Sequence, residues 1–178
     1  ITGSNASGKS TFLKTIALNQ ILAQTIHTCL ADFYQTSFFR VISSMSLRDD
    51  IQGGDSYYMV EIKALKRIMD EIAADNIPVL CFVDEVLRGT NTIERIAASV
   101  QILKSLATRN CLCFATTHDI ELTHLLEQFY TNFHFEEEIE NNDIFFSYKI
   151  MNGRSRTRNA IKLLGIMGYD KVIIREAE

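Results

Sequence analysis

The sequence predicts an α/β fold, a mainly parallel sheet flanked by helices with a C-terminal β-hairpin and short helices, and three observations predict it. Residues 79–83 (VLCFV) and 111–115 (CLCFA) are continuous apolar runs of strand length, joined by a segment of 3.6-residue apolar periodicity. That is the pattern of a parallel β-α-β unit buried on both faces. A glycine-rich loop at the start runs directly into a second periodic segment. Residues 130–135 and 144–150 alternate around the polar Glu140-Asn141-Asn142-Asp143, as the strands of a hairpin do.

In chain order, Phe12, Leu13, Ile16, Leu22 and Ile26 set a helix over residues 9–28. Residues 37–42 read as a short strand, and the polar, glycine-containing residues 43–54 as a loop. Val60, Ala64, Leu65, Ile68 and Ile72 set a helix over residues 56–74, and Pro78, the only proline, precedes the strand 79–83. A crossover helix over residues 92–108 leads to the strand 111–115, and a shorter helix over residues 120–128 leads to the hairpin. Residues 157–178 read as one or two short helices broken near Gly168.

A chain of 178 residues with 47% hydrophobic and 22% charged residues matches one globular domain and excludes disordered, collagen-like and coiled-coil classes. The formal net charge of −4 means that the domain as a whole cannot hold nucleic acid through counterion release. Any DNA contact is therefore local or lies outside this chain. No apolar run approaches the roughly 18 residues that span a bilayer, and the start has no charged region followed by an apolar one. The expectation is a soluble, cytoplasmic protein without a membrane partner. Of the cysteines at 29, 81, 111 and 113, three lie inside the apolar runs and read as core thiols. The Cys-x-Cys pair lacks a second pair at zinc-site spacing.

Gly3-Ser4-Asn5-Ala6-Ser7-Gly8-Lys9-Ser10 fits G-x-x-x-x-G-K-[ST], followed by Thr11 within the helix. In such a phosphate loop, glycines let successive amides point at a phosphate and the helix N-terminus adds partial positive charge. Lys9 reaches the outer phosphates of ATP, and the Ser10 hydroxyl is a ligand of Mg²⁺. The competing reading is a Gly/Ser turn capping a helix. Only Ile1 and Thr2 precede the loop, so the strand that normally leads into it is almost absent. The expectation is one domain over residues 1–178, a piece of a longer protein with more chain upstream.

Two adjacent acids, Asp84-Glu85, end the strand 79–83. In a phosphoryl-transfer site the first supports Mg²⁺ and the second orients and polarises the attacking water. The alternative is a strand end entering solvent. His118 follows the strand 111–115 and emerges at the same carboxyl edge, where it can sense the γ-phosphate. His27, His124 and His134 lack this context and read as structural. The acids Glu136-Glu137-Glu138 read as a solvated hairpin tip. Arg154, Arg156, Arg158 and Lys162 form a basic stretch that reads as a solvated or partner-facing surface ahead of a DNA contact.

Together with Arg88-Gly89-Thr90-Asn91-Thr92 and Thr117-His118-Asp119-Ile120-Glu121-Leu122-Thr123, these motifs resemble the ATPase domain of MutS-type DNA mismatch-repair proteins, an ABC-class P-loop NTPase. The resemblance covers nearly the whole chain, and its most specific piece is the stretch from Asp84 to Thr92, similar to D-E-[IV]-G-R-G-T-S-T. It implies a homodimer in which each ATP lies between one protomer's phosphate loop and the other's signature segment. That segment resembles Gly54-Asp55-Ser56-Tyr57-Tyr58-Met59-Val60-Glu61, so Ser56 acts in trans. Ser56 also stands at a predicted helix start, where a hydroxyl and free amides bind an anion or simply cap the helix. The resemblance places Asn91 and Thr92 at the dimer interface and the adenine-stacking position on Tyr148, which reads equally as an edge-strand tyrosine. It further implies contact with mismatched or branched DNA through upstream domains. Ser4 for proline, Ser7 for glycine and Leu87 for glycine depart from the family pattern and point to a divergent branch. A transporter nucleotide-binding subunit, which needs a Leu-Ser-Gly-Gly-Gln signature, and an ATP-binding module without turnover are the alternatives.

Overall fold

The computed structural model describes residues 1–45, 57–74, 77–140, 143–155 and 164–177. Its centre is a three-stranded parallel sheet of order β1-β2-β3: β1 (Arg40–Ser44), β2 (Val79–Val83) and β3 (Cys111–Ala115). The strands pair in one register, Arg40 with Val79 with Cys111 through Ser44 with Val83 with Ala115, so all three carboxyl ends lie level. Helix α2 (Tyr57–Ala74) connects β1 to β2, and α3 (Thr92–Ala107) connects β2 to β3. The remaining elements are α1 (Lys9–Ile26), α4 (Ile120–Leu125), the antiparallel hairpin of β4 (Phe133–Glu140) and β5 (Asp143–Asn152), and α5 (Lys171–Ala177).

The unbroken apolar run of β2 is explained by burial on both faces. Val79, Cys81 and Val83 point to one side, against Leu65, Ile68 and Ile72 of α2 and Leu103 and Leu106 of α3. Leu80 and Phe82 point to the other, against Leu13 and Ala17 of α1. All five are buried, and each large side chain contributes about 1.5–3 kcal/mol by leaving water. Phe82 stacks on Phe114 of β3 with ring centroids 5.6 Å apart. Cys81 is buried, and Cys111 and Cys113 pack at the edge of the same cluster, as core thiols do.

Ile1 and Thr2 lie between β3 and β4. Ile1 accepts a hydrogen bond from the Thr117 amide, and Thr2 exchanges two with Phe133 and Phe135, forming a parallel bridge to His134. The dipeptide thereby places the following loop at the carboxyl edge of β3.

The first strand falls at Arg40–Ser44, displaced from the expected residues 37–42. The reason is a polar anchor on α1: the Gln20 amide nitrogen donates to the Ser37 carbonyl, and that of Gln24 to the Phe39 carbonyl. Those acceptors serve α1 and not a sheet ladder. Strand β4 continues to Glu140, so Glu136, Glu137 and Glu138 belong to the strand, contrary to the expected hairpin tip. Glu137 is buried, after an irregularity between Phe135 and Glu137. Helix α4 ends at Leu125, short of the expected residue 128. The chain turns at Gly168, whose φ is 81°, before α5. Most of the expected loop 43–54, and Arg156, Arg158 and Lys162, lie outside the described residues. No helix among the described residues is long and apolar enough to cross a membrane.

Candidate active site

The loop of residues 3–10 curls through three left-handed positions, Gly3 (φ 144°), Ala6 (φ 64°) and Gly8 (φ 106°). At Gly3 a Cβ would lie 2.8 Å from the Ser7 hydroxyl and 2.9 Å from the Phe135 carbonyl, so only glycine fits. Gly8 is the N-cap of α1 and contributes no side-chain cap, which leaves the first amides of the helix facing the loop. Lys9 turns back into this curl: its ammonium donates to the carbonyls of Gly3 at 3.0 Å and Ser4 at 2.7 Å, and the residue is only 5% exposed. Burial pulls its pKa down, while the negative charges of Glu85, Asp84 and Glu137 push it up.

Across the cleft, Val83 leads into Asp84 and Glu85. Hydrogen bonds from the Asp84 amide to Ser44 and from the Thr116 amide to Val83 extend the parallel ladder one step beyond the strands. The chain then leaves the sheet through two left-handed residues, Glu85 (φ 56°) and Leu87 (φ 53°). Such backbone costs about 1–2 kcal/mol per non-glycine residue. Leu87 stands where the resembled pattern has glycine, and its side chain is buried, which offsets that cost.

Thr116, fully buried, ties the acid pair to β3: its hydroxyl donates to Asp84 Oδ1 at 2.6 Å and accepts from the Glu85 amide at 2.9 Å. Both carboxylate oxygens of Glu85 are engaged, Oε1 by His118 Nε2 at 2.9 Å and Oε2 by the Arg88 guanidinium. Burial raises the Glu85 carboxyl, and the hydrogen bonds from His118 and Arg88 outweigh it, leaving its pKa below the ordinary carboxylate value. His118 itself is 41% exposed.

Beyond the acids, Glu61 of α2 receives the Arg88 amide at 3.1 Å on Oε1 and the Gly89 amide at 3.0 Å on Oε2. A Cβ on Gly89 would sit 2.9–3.0 Å from Tyr58 atoms, so loop and helix touch backbone to backbone. Asn91 then caps α3, accepting the Glu94 amide.

The glycine-rich loop and Glu85 share a cleft of about 550 Å³, lined by Lys9, Ser10, Thr11, Glu85, Phe135 and Tyr148 among others. Tyr148, 64% exposed and left-handed (φ 53°), lies beside Gly8, and Phe135 is buried behind it. The fold thus brings together Asn5, Ala6, Gly8, Lys9, Ser10, Thr11, Glu85 and Tyr148 in the cleft, with Gly3 and Ser4 in contact with Lys9. His118 and Asp84 join through Glu85 and Thr116. Ser56 lies outside the described residues. Sequence reasoning missed the roles of Thr116, Glu61, Arg88 and Phe135, although Glu61 and Arg88 lie inside motifs it singled out.

The residues present fit a phosphate and a divalent cation. The ammonium of Lys9 has three donors and spends two on loop carbonyls. The buried hydroxyls of Ser4 and Ser7 find no protein partner among the described residues. No group of three or more His, Cys, Asp or Glu able to hold a metal occurs among the described residues. Ser10 and Asp84 would hold a cation only together with phosphate oxygens. Elsewhere, the His134 ring is fixed by Gly153 and Glu136, and Arg154 binds Glu127 and the Thr123 carbonyl, both structural contacts.

Comparison with known proteins adds an independent result. A family model described as MutS domain V matches residues 1–178. The DNA mismatch repair protein MutS of Pseudothermotoga lettingae is 32% identical over 181 residues, covering 99% of this chain and 22% of that protein. The protein of the same name from Thermus thermophilus is 28% identical over 178 residues, covering 99% of this chain and 22% of its own. MutS protein homolog 4 of Mus musculus is 35% identical over 171 residues, covering 89% of this chain and 17% of that one. The chain thus spans about a fifth of the length of the curated relatives it matches.

Proposed function

The chain belongs to the MutS family through its domain V, and on that premise we propose that it binds and hydrolyses ATP as an ABC-class P-loop ATPase domain of a MutS-like DNA repair or recombination protein. The observation that carries this reading is the meeting of Lys9 and Glu85 in one cleft, with His118 held on Glu85. A glycine-rich loop with a caged lysine, facing an acid and a histidine at the carboxyl edge of a parallel sheet, suits phosphoryl transfer better than any other chemistry.

In this reading the amides of residues 3–10 and Lys9 bind the β- and γ-phosphates, and Tyr148 offers its exposed ring to the adenine. A magnesium ion bound with the nucleotide would be held by Ser10 and Asp84 and would neutralise charge on the phosphate oxygens. Glu85 orients water and takes its proton as the water oxygen bonds to the γ-phosphorus and the bond to the β-bridging oxygen breaks, releasing ADP and phosphate. To do so Glu85 exchanges one of its two present partners, Arg88 or His118, for that water. His118 donates to the γ-phosphate and registers its loss.

The same reading makes the active unit a homodimer, with Ser56 of each protomer completing the other's site. Closure follows ATP binding and opening follows hydrolysis, while mismatched or branched DNA is held by parts of the protein outside this chain. The family match weighs against the transporter-type alternative. Ser4, Ser7 and Leu87, which depart from the family pattern, support a divergent branch. The test is the hydrolysis rate per molecule against concentration. A rate that climbs with concentration, and a Ser56→Ala protein that loses this rise, support the composite site. A rate independent of concentration contradicts it.

A further inference from the structure

Asp119 is the N-cap of α4, yet its side chain makes no capping hydrogen bond. An aspartate there normally accepts a helix amide. Both oxygens instead face Arg95 of α3, with Nε 2.8 Å from Oδ2 and Nη2 2.6 Å from Oδ1. This is a two-pronged pair in which the guanidinium fork matches the carboxylate, at side-chain exposures of 21% and 12%. Asp119 directly follows His118, and its amide donates to the Thr117 hydroxyl at 3.0 Å. The guanidinium also reaches the Thr90 carbonyl at 3.4 Å and the Thr92 hydroxyl at 3.5 Å. His118 therefore rests on a segment clamped to the first turn of α3, and the same clamp grips the loop that leads away from Glu85.

We propose that Arg95 is a positioning residue for hydrolysis: through Asp119 it fixes His118 against Glu85 and couples the segment 90–92 to that pair. The proposal rests on the ATPase reading above but names a group that reading does not use. Arg95 touches neither Glu85 nor His118 by any described hydrogen bond, so its effect passes through Asp119 and the backbone. Lysine cannot replace it, because an ammonium lacks the planar fork that holds both oxygens.

The test compares steady-state ATP hydrolysis and thermal unfolding of the intact protein with Arg95→Ala, Arg95→Lys, Asp119→Asn and the Arg95→Ala/Asp119→Asn double variant. Rates are normalised to nucleotide-binding sites, so that unfolded molecules do not count. The expected result is a fall in kcat of about tenfold or more in each single variant with KM for ATP changed by less than about twofold. The double variant falls no further than the worse single one, because both act through one contact. The inference is overturned by unchanged kcat per site with only a lowered unfolding temperature, by full rescue with lysine, or by losses that multiply in the double variant. A wild-type protein that binds but does not hydrolyse ATP overturns the ATPase reading first, and is distinguished by failing before any variant is compared.

Discussion

His118 Nε2 lies 2.9 Å from Glu85 Oε1, so the residue three places beyond β3 meets the residue two places beyond β2 across 33 positions of sequence. The parallel register makes this possible. Val83 pairs with Ala115, both strands end level, and short extensions bring the two side chains to one point of the sheet edge. On the opposite wall of the cleft stands Lys9, whose ammonium is held by the loop it belongs to.

If His118 both steadies Glu85 and senses the γ-phosphate, removing the ring damages turnover more than binding. His118→Ala is expected to lower kcat by about a hundredfold, in the range seen when one donor to developing charge is lost. Nucleotide affinity, read by titration with a fluorescent ATP analogue, falls much less. An equal loss in affinity and turnover would place His118 in binding alone.

Thr116 is the buried link that orders the acid pair. Thr116→Val keeps the shape but leaves the Glu85 amide without its acceptor and removes a hydrogen bond from Asp84. The expected cost is about 1–3 kcal/mol of stability for an unsatisfied buried donor, seen as a lower unfolding midpoint. Thr116→Ser, which retains the hydroxyl, is expected to recover most of both stability and turnover.

Gly89 lies against the backbone of Tyr58. Gly89→Ala forces the loop away from α2 and stretches the two hydrogen bonds to Glu61, at an expected cost of about 1–3 kcal/mol. Chemical denaturation checks the stability. Hydrolysis is expected to drop as well, since Arg88 and Glu85 ride on the same turn.

The parts of this fold legible in the sequence are those governed by local rules. The loop running into α1, the doubly buried run of β2 and the crossover helix α3 each declare themselves through periodicity or a fixed motif. The first strand was displaced because Gln20 and Gln24, ordinary helix residues by pattern, capture carbonyls 15–17 positions away. The acids of β4 resemble a turn by composition, yet Glu137 is paired with Phe146 and buried. In the candidate site, Lys9, Glu85 and His118 follow from residue type and strand position. The contacts that order the loops around them, made by Thr116, Glu61 and Arg95, span 24–32 positions, a separation no local pattern reports.

The central claim is that Glu85 takes the proton from water attacking a phosphate held by Lys9 and its loop. Single-turnover hydrolysis of ATP by Glu85→Gln, with nucleotide binding measured on the same sample, tests it most directly. The account predicts binding within a few-fold of wild type and a hydrolysis rate lower by about a hundredfold or more. A Glu85→Gln protein that hydrolyses ATP at the wild-type rate contradicts it.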